Sequence, residues 1–85
     1  MKRIYKYAIE AISDSVDVRM PNGAEVLHVA AQGGLICLWA RVDTERTSRV
    51  REFEIRGTGD PLTDDLIYLG TAHIDPFVWH VFERE

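Results

Sequence analysis

Three imidazoles, His28, His73 and His80, and one thiol, Cys37, are the side chains of this sequence best suited to metal binding or acid-base work near neutral pH. His73 and His80 come near each other on a closing hairpin, but two histidines without a placed carboxylate or thiolate fall short of a structural zinc set, so no metal and no cofactor are expected. His28 and Cys37 belong to strand-like runs, where a Cys-His contact is geometrically allowed. No third orienting group and no oxyanion donor accompany it, and a strand histidine stacked on Trp39 reads as packing. Gly57-Thr58-Gly59-Asp60 has the glycines of an anion-binding loop. It lacks the third spaced glycine and long helix of a dinucleotide site, and the Gly-Lys-Ser/Thr of a P-loop, so it reads as a turn leading into Asp60-Pro61. Asp60, Asp64 and Asp65 form an acidic cluster without calcium-loop spacing, which reads as a solvated loop. The polar candidates for ligand or partner contact are therefore Thr58, Asp60, Asp64, Asp65, Thr71 and His73, with no catalytic residue assigned. Phe77-Val78-Trp79-His80-Val81-Phe82 offers stacking rings, although in a chain this short such rings more often build the core.

The elements that must position these groups are strands. The stretch from Glu25 to Val42 reads as a hairpin about Gly33-Gly34, because a two-residue turn asks for positive φ, which glycine adopts at least cost. That turn sets Gln32 opposite Leu35, Ala31 opposite Ile36, Val29 opposite Leu38 and Leu27 opposite Ala40, leaving one face wholly apolar. Arg3 to Glu10 alternates as a further strand, and a turn is expected from Ala11 to Asp14. Val16, Val18 and Met20 alternate with polar neighbours. A tight connection from Pro21 to Ala24 would pair Met20 with Glu25, Val18 with Leu27 and Val16 with Val29. The expected core face is then Val16, Val18, Met20, Leu27, Val29, Ala31, Ile36, Leu38, Ala40 and Val42. The reverse face, Val26, His28, Ala30, Cys37 and Trp39, is too apolar for open water, so a second layer of the same domain or another subunit should cover it. Arg49 to Arg56 reads as an edge strand with a wet charged face. Leu62 to Asp65 allows one helical turn, and Leu66 to Ile74 with Phe77 to Phe82 reads as a closing hairpin about Asp75-Pro76.

Composition bounds the function. With 85 residues and 46% apolar side chains the chain is one domain, residues 1 to 85, and no run approaches the roughly 20 apolar residues of a membrane helix. Fourteen acidic against ten basic side chains, a net charge of -4, argue against tracking a phosphate backbone, so no direct nucleic-acid or membrane partner is expected. A single cysteine excludes an internal disulfide, and the N-terminus turns directly into a strand pattern rather than a signal sequence, which places the protein in the cytoplasm. The fold class expected is all-β: an antiparallel meander of six or seven strands forming a small barrel or a two-layer sandwich, with at most one short helical turn.

The runs Met20-Pro21-Asn22-Gly23-Ala24-Glu25-Val26-Leu27, Leu38-Trp39-Ala40-Arg41-Val42-Asp43, Phe53-Glu54-Ile55-Arg56-Gly57-Thr58-Gly59, Tyr68-Leu69-Gly70-Thr71 and Val78-Trp79-His80-Val81-Phe82-Glu83 together resemble a family of short uncharacterised bacteriophage and prophage proteins. These are turns and aromatic strand positions, so they mark kinship rather than activity. The resemblance implies a small accessory protein, cytoplasmic in the infected host, and brings no agreed catalytic residues to carry onto this sequence. By analogy it implies a non-enzymatic inhibitor of a bacterial defence system, such as an anti-CRISPR protein, acting by contact with a host protein or complex. Two other expectations stand beside it: sequestration of a nucleotide signal by the Gly57 to Asp60 loop and nearby aromatics, in a homo-oligomer, or a role in the virion or its assembly.

Overall fold

The computed structural model describes residues 1–10 and 14–85 of the chain, so the turn expected from Ala11 falls, except for Asp14, outside the described residues. It is an antiparallel sandwich with seven strands among those residues: β1 (Lys2–Ile9), β2 (Ser15–Pro21), β3 (Glu25–Gln32), β4 (Leu35–Asp43), β5 (Ser48–Gly57), β6 (Leu66–Ile74) and β7 (Phe77–Arg84). Three strands form one sheet in the order β1-β4-β3 and four form the other in the order β2-β5-β7-β6. The described residues contain no helix and no closed barrel; Leu62 to Asp65 is irregular chain ending in a turn.

The Gly33-Gly34 hairpin is present, both glycines having positive φ (61° and 78°), the pairing required of a turn matched to strand twist. Its register runs as expected from Gln32↔Leu35 through Val29↔Leu38 to His28↔Trp39, and there a bulge interrupts it. Val26, not Leu27, therefore lies opposite Ala40, and Leu27 is turned out to 43% exposure. A bulge adds one unpaired residue and so exchanges the faces beyond it. Ala31, also expected inside, is exposed near the hairpin tip.

β2 departs further from expectation, because it pairs with β5 rather than β3. Pro21-Asn22-Gly23-Ala24 is a turn, with Ala24 N–H donating to Pro21 C=O at 3.1 Å, but it carries the chain from one sheet to the other. Asn22 N–H is held by Thr47 C=O at 2.8 Å, which ties this crossing to the entry of β5. Met20 still reaches the core, with Val16 and Val18 half-buried against it, but all three approach from the opposing layer. The core also contains Ile9, Val29, Ile36, Leu38, Ala40 and Val42 from the first sheet and Phe53, Ile55, Ala72 and Val81 from the second.

β5 is likewise interior to its sheet rather than an edge, flanked by β2 and β7. Its charged face is neutralised by ion pairs instead of water: the Glu54 side chain, 4% exposed, meets Arg56 at 3.0 Å and Arg84 at 3.2 Å. At the other face Arg51 forms a two-point pair with Glu83 and also donates to the Ala24 carbonyl, joining the two sheets. Along one flank β3 and β6 converge so closely that a Cβ on Gly70 would stand 2.7 Å from Val29 Cβ. At the opposite flank β1 and β2 each end their sheet.

Candidate functional site

β6 and β7 form the expected hairpin about Asp75-Pro76, with a bulge between Tyr68 and Gly70. The two-residue turn sets Thr71 opposite His80, and the β5–β7 pairing sets Arg56 on the other side of His80. Gly57-Thr58-Gly59-Asp60 then folds as a turn over this end of the sheet. Gly59 takes a φ of 95°, and Asp60 both closes the turn through its N–H to Gly57 C=O and accepts the Gly57 N–H at 2.7 Å. This fixes Thr58 over the imidazole. Thr58 Oγ1 lies 2.9 Å from His80 Nε2, Thr71 Oγ1 lies 3.0 Å from His80 Nδ1, and the Tyr68 hydroxyl continues the chain onto Thr71. In a neutral ring one nitrogen donates and the other accepts, so the two threonines play opposite roles and lock the ring plane.

Of the six residues expected from the sequence, Thr58 and Thr71 are brought together, with His80 between them. Asp60 shapes the turn. Asp65 lies farther along the sheet, where its carboxylate takes Thr63 and Arg84, and Asp64 is exposed in the preceding loop. The hydrogen bond from Thr63, outweighing the opposing effect of burial, and the Arg84 charge hold the Asp65 carboxyl below its ordinary value. His73 is exposed on β6 opposite Val78, two pairs along the ladder from His80 and outside the hydroxyl chain. His80 and Tyr68 were missed as site residues. The signal for His80 was present: a tight turn at Asp75-Pro76 already sets residue 71 against residue 80.

Beside this cluster Gly57, Thr58, Asp60, Pro76, Phe77 and Trp79 line an open cavity of about 420 Å³. Phe77 and Trp79 stack with ring centroids 5.4 Å apart and planes at 26°, and Phe77 is 55% exposed. The corner can stack a planar ring and hydrogen-bond its edge. As a hydrolytic site it is poorly equipped, because a hydroxyl stands where a carboxylate would orient the histidine. Among the described residues no three His, Cys, Asp or Glu side chains converge as a metal set.

A second surface is the outer face of the three-stranded sheet. His28 and Trp39 meet there as expected, ring centroids 5.8 Å apart, and Cys37 is buried between its neighbours. The four-stranded layer covers the opposite face, so the expectation that a second layer of the chain covers this one fails among the described residues. Ile4 is 65% exposed and, with Leu27 and Arg41, borders a shallow depression of about 490 Å³. Polar contacts rim it: Lys6 donates to Gln32 at 2.7 Å, and Arg41 pairs with Glu25 at 3.1 Å.

Across residues 1–85 the sequence matches the family described as Domain of unknown function (DUF7352). The chain belongs to that family. No curated protein and no solved structure matches it. In the DUF7352 chain no helix among the described residues is long and apolar enough to cross a membrane.

Proposed function

We propose that this DUF7352 protein is a non-enzymatic binding protein that acts by protein-protein contact through the outer face of its three-stranded sheet. One observation carries the reading: Ile4 and Leu27 stand exposed at one shallow depression whose other walls are Lys2, Arg3 and Arg41, apolar side chains ringed by polar ones. Apolar centres with polar rims are the usual anatomy of protein interfaces. The specific form we propose is inhibition of a bacterial defence complex in the cytoplasm, supported by the likeness of the turn and aromatic motifs to short phage proteins. Capture from a defence-bearing bacterial host should recover a specific host complex. Ile4→Asp and Leu27→Asp should abolish that capture while leaving the thermal midpoint nearly unchanged, since both side chains are exposed. Equal recovery by wild type and both variants would count against this face.

A second reading, sequestration of a nucleotide, is favoured by the Thr58 turn standing beside the Phe77–Trp79 stack. Asp60 already occupies the Gly57 N–H and places a carboxylate in the cavity wall, so recognition would rest on the base rather than the phosphates. A nucleotide at 100 times its dissociation constant would stabilise the fold by about 2.7 kcal/mol, well within reach of a thermal-shift screen. No shift with any nucleotide would remove this reading.

A further inference from the structure

Of the sheet edges, β3 and β6 close against each other at Gly70 and Val29, whereas among the described residues no neighbouring strand covers β1 or β2. β1 carries Lys2, Arg3 and Lys6, charges of one sign that discourage pairing between copies. β2 is different. Its outward side chains alternate in sign, Asp17 then Arg19, and among the described residues neither forms an ion pair. Asp17 is set directly opposite Glu52, a like charge, and Glu52 already has Arg84 at 3.1 Å and the Ser15 hydroxyl at 3.1 Å. Like charges directly opposite one another destabilise a sheet. Among the described residues the strand thus holds one acid in need of a cation and, two residues on, a cation without an acid.

We propose that β2 is the docking surface for a second copy of this chain, the two β2 strands pairing antiparallel about a two-fold axis at Val18. This register sets Asp17 opposite the partner's Arg19 and Arg19 opposite the partner's Asp17, giving two symmetric ion pairs on the outer face. On the inner face Val18 meets the partner's Val18, and half-buried Val16 meets the partner's Met20. Moving the axis one residue either way sets Asp17 against itself or Arg19 against itself, so charge selects Val18. Proline at position 21 lies at the end of the ladder, opposite the partner's Ser15, where a missing N–H costs least. The two four-stranded sheets become one continuous sheet across the axis, an isologous contact that closes on itself.

Sedimentation equilibrium of the full chain up to several hundred micromolar should show a monomer–dimer equilibrium that weakens as salt screens the ion pairs. Asp17→Arg and Arg19→Asp should each weaken dimerisation by about tenfold or more, since each turns both attractions into repulsions, and the double exchange should restore it. Val18→Cys, in an otherwise unchanged chain, should cross-link under mild oxidation, because directly paired Cα atoms lie within disulfide reach. A monomer throughout, a dimer insensitive to both single reversals, a double exchange no better than either, or failure of the cysteine variant to cross-link would each overturn the proposal.

Discussion

Glu54 shows most directly how this sheet tolerates charge. Its carboxylate is buried at 3% residue exposure, and Oε1 alone receives both Arg56 and Arg84. Burial by itself would raise its pKa; hydrogen bonds from the surrounding side chains, the two arginines included, outweigh that and hold it at about 2. A carboxyl depressed in the folded state stabilises the protein above its ordinary value of 4.5, and the contribution is lost as pH falls from there toward about 2. Acid unfolding should therefore steepen over that window. Glu54→Gln should flatten this acid limb and lower stability at neutral pH by about 2–4 kcal/mol, because two guanidiniums lose their shared anion. Denaturant unfolding across a pH series tests both.

At the scale of elements, Gly70 sets how near the two layers approach. A methyl group there would meet Val29 Cβ at 2.7 Å and Cγ2 at 2.9 Å, so Gly70→Ala should destabilise by about 1–3 kcal/mol through overpacking, measurable in urea. The elements were legible where the determining contacts are local. Gly33-Gly34 specifies its hairpin because positive φ and two-residue alternation act within the same few residues. The local pattern pairs β2 with β3 rather than β5, because Pro21-Asn22-Gly23-Ala24 makes the same tight turn whether the chain doubles back or crosses between layers. The decision lies with Phe53, fully buried and opposite Val16, far along the sequence. The bulge that releases Leu27 carries no glycine or proline to announce it. Of the site, Thr58 and Thr71 were recognised as polar positions. Their partner His80 stands out as an imidazole but sits inside an aromatic run that reads as core, and only the register of two strands and the reach of the Gly57 turn bring the three together.

For the whole molecule, Arg51 joins the layers, linking the start of β3 to β5 and β7 through Ala24 C=O and the Glu83 carboxylate. Its guanidinium also lies 5.8 Å from the centre of the Phe53 ring. Arg51→Met should cost about 3–5 kcal/mol by stranding Glu83. Arg51→Met with Glu83→Leu should recover most of the loss, because the apolar pair removes both desolvated charges together; thermal midpoints of the three proteins compare directly. The crossing at Pro21 to Ala24 has a consequence for how the protein is made. The two tight hairpins assemble from adjacent residues, but β1 must find β4 and β2 must find β5, so most of the ladder joins distant parts of the chain. Such pairings impose a large loop-closure cost before any stabilising contact is made. A ribosome that has released β2 but not yet β5 therefore exposes Val16, Val18 and Met20 on a strand with no mate, and it is this interval during translation that sets the protein's exposure to chaperones and to aggregation.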